Sequence, residues 1–494
     1  MRWLAAACCA ALVATAGAAE TVTVGSKRFT ESYILGEVLR AAAAEAGAAA
    51  RHRQGLGNTG IVLAALRAGE IDLYPEYTGT IAREILRLEG AVPLDELNRR
   101  LAPLGVGAAV ALGFNNTYAL AMREADAARL GVRTISDLAR HPRLRLGLTQ
   151  EFLGRADGWA GLRAAYALPF DAPTGIDHGL GYEALAAGRI DVKDVYSTDA
   201  KIARYRLRVL EDDRAYFPRY DAVLLYRLDL PRRAPAAWRA LAALEGRIDA
   251  ATMIRLNAAA ELEGRTFAQA AALLGAAGAA SAVAPQRFVE RLFGADFWRL
   301  TGEHVLLVAV SLAAAVLLGV PLGLLAAKVP ALAQPVLAAV GLIQTIPSLA
   351  LLALLIAALG RIGTVPALVA LFLYALLPIV RNTHAGLVQL PRGLREAAVA
   401  LGLSARDRVV AVELPLALPT ILAGVKTSAV INVGTATIAA FIGAGGYGER
   451  IVQGLALNDS ALLVAGALPA AALALLVQGA FELVEWRLGQ RIHR

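Results

Sequence analysis

Residues 396–415, EAAVALGLSARDRVVAVELP, place Glu396, Arg406, Asp407, Arg408 and Glu413 in the most hydrophobic part of a 494-residue chain. On either side lie apolar segments at about 305–327, 335–359, 364–380, 418–442 and 461–481. Most approach or exceed the roughly 20 apolar residues that a bilayer core demands. The third is short and must extend or tilt. Trp298 and Trp486 flank the set as interface anchors would. Within 396–415, helical spacing puts Ala397, Leu401 and Val409 near one face, with a turn at Gly402. Such an amphipathic pair suits a helix lying on lipid headgroups as well as it suits a surface for a protein partner.

Composition bounds what surrounds this stretch. The hydrophobic fraction is 57% and the mean hydropathy +0.53, with the excess after residue 300. The chain therefore divides into a water-facing half and a membrane half. Its net charge of +8 comes from scattered arginines with no basic run interleaved with aromatics, so no nucleic-acid partner is expected. Both cysteines, Cys8 and Cys9, fall in MRWLAAACCAALVATAGAAE, where Arg2, an apolar run and the small residues Ala16 and Ala18 read as a signal peptide over 1–19. An uncleaved anchor and a lipid anchor are the alternatives.

A signal peptide that exports the first half sends the first span from outside to inside. Five spans then leave the C-terminus inside and make 381–415 a cytoplasmic loop. That loop holds Arg381, Arg392, Arg395, Arg406 and Arg408, whereas the opposite loops show Arg361 and Arg450. The asymmetry agrees with the positive-inside rule.

Several chemistries have no signature here. There is no G-x-x-x-x-G-K-[ST] phosphate loop, no G-x-S-x-G, no HExxH and no cysteine–histidine pair. Neither an enzyme nor a metal or cofactor is expected, and any ATP hydrolysis belongs to a separate subunit.

The first half alternates short β-like runs with Ala/Leu-rich helical stretches. TVTVGSK, GEIDLYPEY and VGAAVALGF read as strands and SYILGEVLRAAAAEAG as a helix. A second block opens near RTISDLARHPRLRLGL, with Ser136 as a helix cap. The pattern predicts two α/β lobes with mostly parallel sheets around a cleft, followed by a linker near 277–286. All tyrosines except Tyr374 and Tyr447 lie in this half, several where strands end: YPEYTGT, FNNTYAL, VYSTD and FPRYD. Aromatic faces with small polar neighbours suit a cation that cannot donate a hydrogen bond. Each cation–π contact contributes on the order of 0.5–2 kcal/mol. The bland reading of any one tyrosine is core or hinge packing.

The spacing Glu396-Ala397-Ala398-x3-Gly402-x9-Val412-Glu413-Leu414-Pro415 resembles the EAA loop of ABC importer permeases, with Val412 for the usual isoleucine. In that family the loop is a coupling helix that docks into an ATP-binding subunit, which implies coupling roles for Glu396, Ala397, Ala398, Gly402, Leu414 and Pro415. PLGLLAAK, IQTIPSLALLALL and AGVKTSAVINVGTATIAAFIGAGGYG resemble the glycine betaine/carnitine/choline subfamily. GSKRFTESYILGE, GLGNTG, DLYPEYTGT, NNTYAL, EFLGRADGW and VYSTDAKI resemble its substrate-binding proteins.

The resemblance implies a two-lobed type II binding protein over 20–276, a linker and pre-membrane helix over 277–300, and a type I permease domain over 301–494 with the loop at 381–415. It places an aromatic cage on Tyr77, Thr80, Tyr118, Tyr196 and Tyr220. Many relatives have glutamine where this chain has Ser32, which alters reach to the ligand's polar end. Arg155 and Asp199 read as hinge or fold-supporting ions ahead of direct ligand contacts, and Asn432 as either helix glue or a path-lining group. The expected partners are a quaternary ammonium solute, an ATP-binding subunit and a second permease copy. An ergothioneine-like ligand, or a membrane sensor that no longer transports, are the rivals.

Overall fold

In TVTVG the two valines alternate with polar residues and are both fully buried, which is what a half-buried strand needs. In chain order the strands are β1 (Thr21–Gly25), β2 (Ala49–Arg53), β3 (Leu73–Tyr77), β4 (Val106–Ala109), β5 (Tyr118–Arg123), β6 (Leu146–Thr149), β7 (Thr174–Ile176), β8 (Val192–Tyr196), β9 (Leu207–Val209) and β10 (Ala222–Arg227). The computed structural model describes residues 21–88, 90, 92–155, 157–170, 173–275, 288–457 and 459–492. The expected signal peptide, both cysteines and the 277–286 linker lie outside them.

The strands form two five-stranded sheets, ordered β2-β1-β3-β10-β4 and β7-β6-β8-β5-β9. The two-lobed α/β expectation holds, but the sheets are less parallel than the sequence pattern implies. β10 runs antiparallel to β3 and β4, and β5 antiparallel to β8 and β9. The chain leaves the first sheet through 110–117 and returns to it through 210–221. A strand arriving from the other lobe enters without a helical crossover, so it is free to pair antiparallel.

Helix α1 (Thr30–Glu45) follows β1, and α2 (Ala250–Glu261) is capped by Asp249, which accepts the Thr252 N–H at 2.7 Å. Ser136 is not the predicted cap: it is the first residue of a tight turn (Ser136–Arg140), and it is Thr134 whose hydroxyl accepts the Asp137 N–H at 3.2 Å while Asp137 accepts the Thr134 N–H at 3.0 Å in return.

The second half is helical: α3 (Phe297–Lys328), α4 (Pro330–Thr345), α5 (Ser348–Leu359), α6 (Thr364–Val388), α7 (Arg392–Ala400), α8 (Leu414–Thr435), α9 (Gly448–Leu457) and α10 (Ser460–Ile492). Among the described residues, four helical runs are long and apolar enough to cross a membrane, or five if the bent pair α4/α5 counts as one span. The span expected at 335–359 is that pair, bent by 101°. Pro347 explains the break, because it pushes Ile346 out of the helical region to φ −71°, ψ 125°. The Ile346 carbonyl left without a helical partner accepts the Tyr374 hydroxyl. The short third span gains length, since α6 runs on to Val388.

Close backbone approach holds the bundle. A Cβ on Gly323 of α3 would meet Thr383 at 2.5 Å and the Val380 carbonyl of α6 at 2.8 Å. Asn432 is fully buried and donates to Ser311 Oγ at 3.0 Å, joining α8 to α3. His304 is fully buried, with Nε2 3.0 Å from the Val433 carbonyl and its ring 4.8 Å from Tyr447. Trp298 is 78% and Trp486 60% exposed, as anchors would be.

Candidate functional site

Strand ends place the predicted tyrosines. Tyr77 closes β3, Tyr118 opens β5, Tyr196 closes β8, and Tyr220 lies in the return segment just before β10. Tyr118 and Tyr196 are direct cross-strand partners, so register alone puts their rings side by side. Ring centroids are 5.0 Å apart for Tyr118–Tyr196 and 5.9 Å for Tyr118–Tyr220.

Tyr77 joins this group through a residue the sequence reading missed: Phe29 is 6.3 Å from Tyr77 and 5.6 Å from Tyr196. Phe152 and Phe217, at 5.1 and 6.3 Å from Tyr118, extend the cluster. All three phenylalanines sit inside motifs already quoted (FTE, EFLGR, FPRYD), but only the tyrosines were singled out. Burial, followed by nearby carboxylates or phenols, pushes the Tyr77 and Tyr196 hydroxyls well above their usual range, and burial then Glu151 does so for Tyr118. The phenols stay neutral, so their faces attract a cation by quadrupole.

Charged groups border the rings. The Arg155 guanidinium lies 5.2 Å from the Tyr118 centroid, and Lys27 Nζ 5.2 Å from Tyr77 and 5.6 Å from Phe29. Arg155 donates two bonds of 2.7 Å to Asp157, and its Nη2 is 3.5 Å from Thr80 Oγ1. The Tyr220 hydroxyl donates to the same carboxylate at 2.5 Å. Burial works against the charge of Asp157, and the Arg155 fork more than offsets it, holding the carboxyl below its usual range. Lys27 pairs with buried Glu76 at 2.6 Å. Arg155, expected as a hinge or fold-supporting ion ahead of a ligand contact, thus pairs with Asp157 and also faces the Tyr118 ring. Asp199 fits the fold-supporting expectation, accepting the Tyr196 N–H at 2.9 Å and the Tyr182 hydroxyl at 2.5 Å.

Two further residues set the frame. Ser32 is fully buried, and its hydroxyl accepts the Lys27 N–H at 2.9 Å, so it shapes the loop that carries Lys27 and Phe29. Glu31, also missed, is 3% exposed and accepts from Tyr77 Oη at 2.5 Å, Asn116 Nδ2 at 2.8 Å, Asn257 Nδ2 at 3.2 Å and the Thr198 hydroxyl. Burial raises its carboxyl against the pull of those donors. One acid therefore ties a cage tyrosine to Asn116 in the outgoing inter-lobe segment, to Thr198 just after β8 and to Asn257 of α2. A separate groove of about 620 Å³, lined in part by Thr78, Gly79, Leu94 and Phe114, includes none of the cage rings.

The 396–415 stretch folds as two elements around Gly402. Helix α7 ends at Ala400, and Gly402, at φ +76°, takes the left-handed position that stops a helix. Ser404 caps the next turn by accepting the Asp407 N–H at 3.1 Å. Ala398 is buried, whereas Glu396 and Ala397 are exposed and Leu401, Val410 and Val399 are 80%, 60% and 54% exposed. The apolar face predicted for Ala397 and Leu401 is left uncovered. Leu414 and Pro415 begin α8 where the π-helical turn Arg408–Glu413 passes directly into it.

Residues 20–273 match the substrate-binding domain of ABC-type glycine betaine transport systems. Residues 319–490 match the inner membrane component of binding-protein-dependent transport systems. An osmoprotectant import permease protein of Salmonella typhimurium, OsmW, is 47% identical over 36% of this chain and 85% of its own length. A glycine-betaine-binding protein of Pseudomonas aeruginosa is 33% identical over 55% of this chain and 92% of its own. The ergothioneine transport permease/ergothioneine binding protein EgtU of Helicobacter pylori is 35% identical over 48% of this chain, which spans 44% of that relative. Receptor and permease relatives thus meet in one polypeptide with two five-stranded sheets and apolar helices, and the chain belongs to the osmoprotectant ABC importer family as a fused substrate-binding and inner-membrane permease protein.

Proposed function

We propose that residues 20–276 capture a betaine-type zwitterion outside the membrane and that residues 301–494 translocate it. The observation that carries this reading is the convergence of Tyr77, Tyr118, Tyr196 and Tyr220 at the junction of two sheets, with Arg155, Thr80 and Lys27 at its border. Neutral rings hold the quaternary ammonium by methyl and cation–π contacts. The Arg155 guanidinium, the Thr80 hydroxyl and the Lys27 ammonium offer donors to a carboxylate. That division favours glycine betaine or carnitine over choline, which carries no carboxylate. Ligand-driven closure of the two lobes is the signal passed to the permease.

The family implies an ATP-binding partner, and the uncovered face around Ala397 and Leu401 is the surface we assign to it. The positive-inside asymmetry supports a cytoplasmic position for that loop and for the C-terminus. One bundle per chain calls for a homodimer, which then carries two tethered receptors. Joining receptor and permease in one polypeptide raises the local receptor concentration, to about the mM scale where the span permits docking.

Calorimetric titration of residues 20–276 with glycine betaine, carnitine, choline and ergothioneine tests the ligand. The expected order is the two aliphatic betaines ahead of choline. Preference for ergothioneine would assign the cage to that ligand, in keeping with the similarity to EgtU, and binding of none of the four would refute the quaternary ammonium reading.

A further inference from the structure

Glu413 departs from its surroundings. The loop on its N-terminal side is largely exposed, yet Glu413 is 5% exposed, at the end of a π-helical turn (Arg408–Glu413) that runs straight into α8. Its Oε2 pairs with Lys328 Nζ, the last residue of α3. Its Oε1 is 3.9 Å from Arg395 Nε on α7. Arg395 in turn donates through Nη2 to the Leu387 carbonyl at the end of α6. One carboxylate therefore gathers α3, α7 and α8, and α6 through Arg395.

A helix surface that a partner pushes on moves the spans only if something stiff joins them. The backbone on both sides of α7 is short irregular chain, 389–391 and 401–404, and transmits force poorly by itself. The side-chain junction at Glu413 supplies the stiff connection. We propose that Glu413, through Lys328 and Arg395, is the positioning residue that locks the ATPase-docking helix α7 to the end of the first spanning helix, so that displacement of α7 becomes displacement of α3. This rests on the coupling role proposed for the loop and adds to it a route into the bundle. Ion pairs that link two elements in each of two arrangements are the ordinary means by which such motions are passed on.

The test uses the full chain co-purified with its ATP-binding subunit in liposomes, with glycine betaine as the probe. ATP hydrolysis with and without the probe, and probe moved per ATP, are measured for Glu413→Gln, Lys328→Met, the double variant and Lys328→Arg. Both single variants are expected to lower the betaine-stimulated fraction about fivefold to tenfold, the scale of a typical coupling between sites. The double variant should be no worse than either single one, and Lys328→Arg should retain coupling. Lys328 is 41% exposed in its side chain and lies outside the loop, so its variant decides the matter if Glu413→Gln fails to fold. Unchanged transport per ATP with a lowered melting temperature would mark the pair as merely structural and overturn the proposal. Additive losses in the double variant would overturn it too. A wild-type chain that never associates with the ATP-binding subunit would instead refute the transport reading beneath it.

Discussion

Gly79→Ala attacks the cage through one of its walls. A Cβ on Gly79 would sit 2.5 and 2.6 Å from Cδ1 and Cε1 of Tyr220, and 2.8 Å from the Arg219 carbonyl oxygen. Comfortable carbon contacts are about 3.5–4.0 Å, so the ring must retreat by roughly 1 Å. The backbone oxygen leaves no room for the alanine to move the other way. A shift of that size breaks the 2.5 Å bond from the Tyr220 hydroxyl to Asp157. Overpacking costs about 1–3 kcal/mol, and a lost bond to a charged acceptor about 1.5–3 kcal/mol. Partial relaxation brings the sum to about 3 kcal/mol. For a unit of this size that lowers the melting temperature by roughly 6–12 °C. Loss of one ring from the cage removes about 0.5–2 kcal/mol of cation–π attraction, a weakening of roughly 2- to 30-fold. Thermal melting and calorimetry on residues 20–276 read both numbers. Gly154→Ala is the control, because nothing lies within 4 Å of its added Cβ. Glycine betaine affinity unchanged by Gly79→Ala would show that Tyr220 is no wall of the site.

Other expectations come from other parts of the molecule. Burial opposes the charge of Glu37, but the hydrogen bond and charge of His52, then Arg40, outweigh it and hold its pKa down to about 2 against an ordinary 4.5. A carboxyl depressed in the fold adds stability above its unfolded value and loses it as pH falls through its folded one. The receptor half should therefore lose about 3 kcal/mol between pH 4.5 and about 2, and Glu37→Gln should flatten that part of an acid denaturation curve. Arg155→Lys keeps a charge for Asp157 but loses the planar fork. It should weaken glycine betaine binding by about tenfold or more while choline changes little, as parallel titrations would show. Gly402→Val forces a β-branched residue into φ +76°, with open space around its Cβ. Uptake should collapse with ligand affinity intact. Asn432→Ala removes one buried bond to Ser311, for which about 0.6 kcal/mol is typical in membranes, so uptake in vesicles should persist.

Different parts of this molecule were legible in the sequence to different degrees. The α/β lobes and the apolar spans follow from hydrophobic periodicity, and the turn at Gly402 from glycine's freedom in the left-handed region. The bend at Pro347 was written in the chain but masked by continuous hydrophobicity, because a window over 335–359 averages across one proline. Sheet parallelism was misjudged because periodicity does not reveal that β5 and β10 arrive from the opposite lobe. The tyrosines were visible as strand-end aromatics. Phe29, Phe152 and Phe217 were not, since a phenylalanine beside a strand reads as core until the fold turns it inward. Glu31 and Glu413 lay hidden for a related reason: a carboxylate in a sequence looks solvated, and only long-range packing shows it buried with donors from distant segments.

The most direct test of the whole account is ATP-driven accumulation of labelled glycine betaine in liposomes that hold this chain together with its ATP-binding subunit. The account predicts ATP-dependent uptake that Tyr118→Ala abolishes by loss of binding and Gly402→Val abolishes with binding preserved. Tight, cage-dependent binding of the solute with no transport by the assembled complex would contradict it, and would make the chain a membrane-bound sensor.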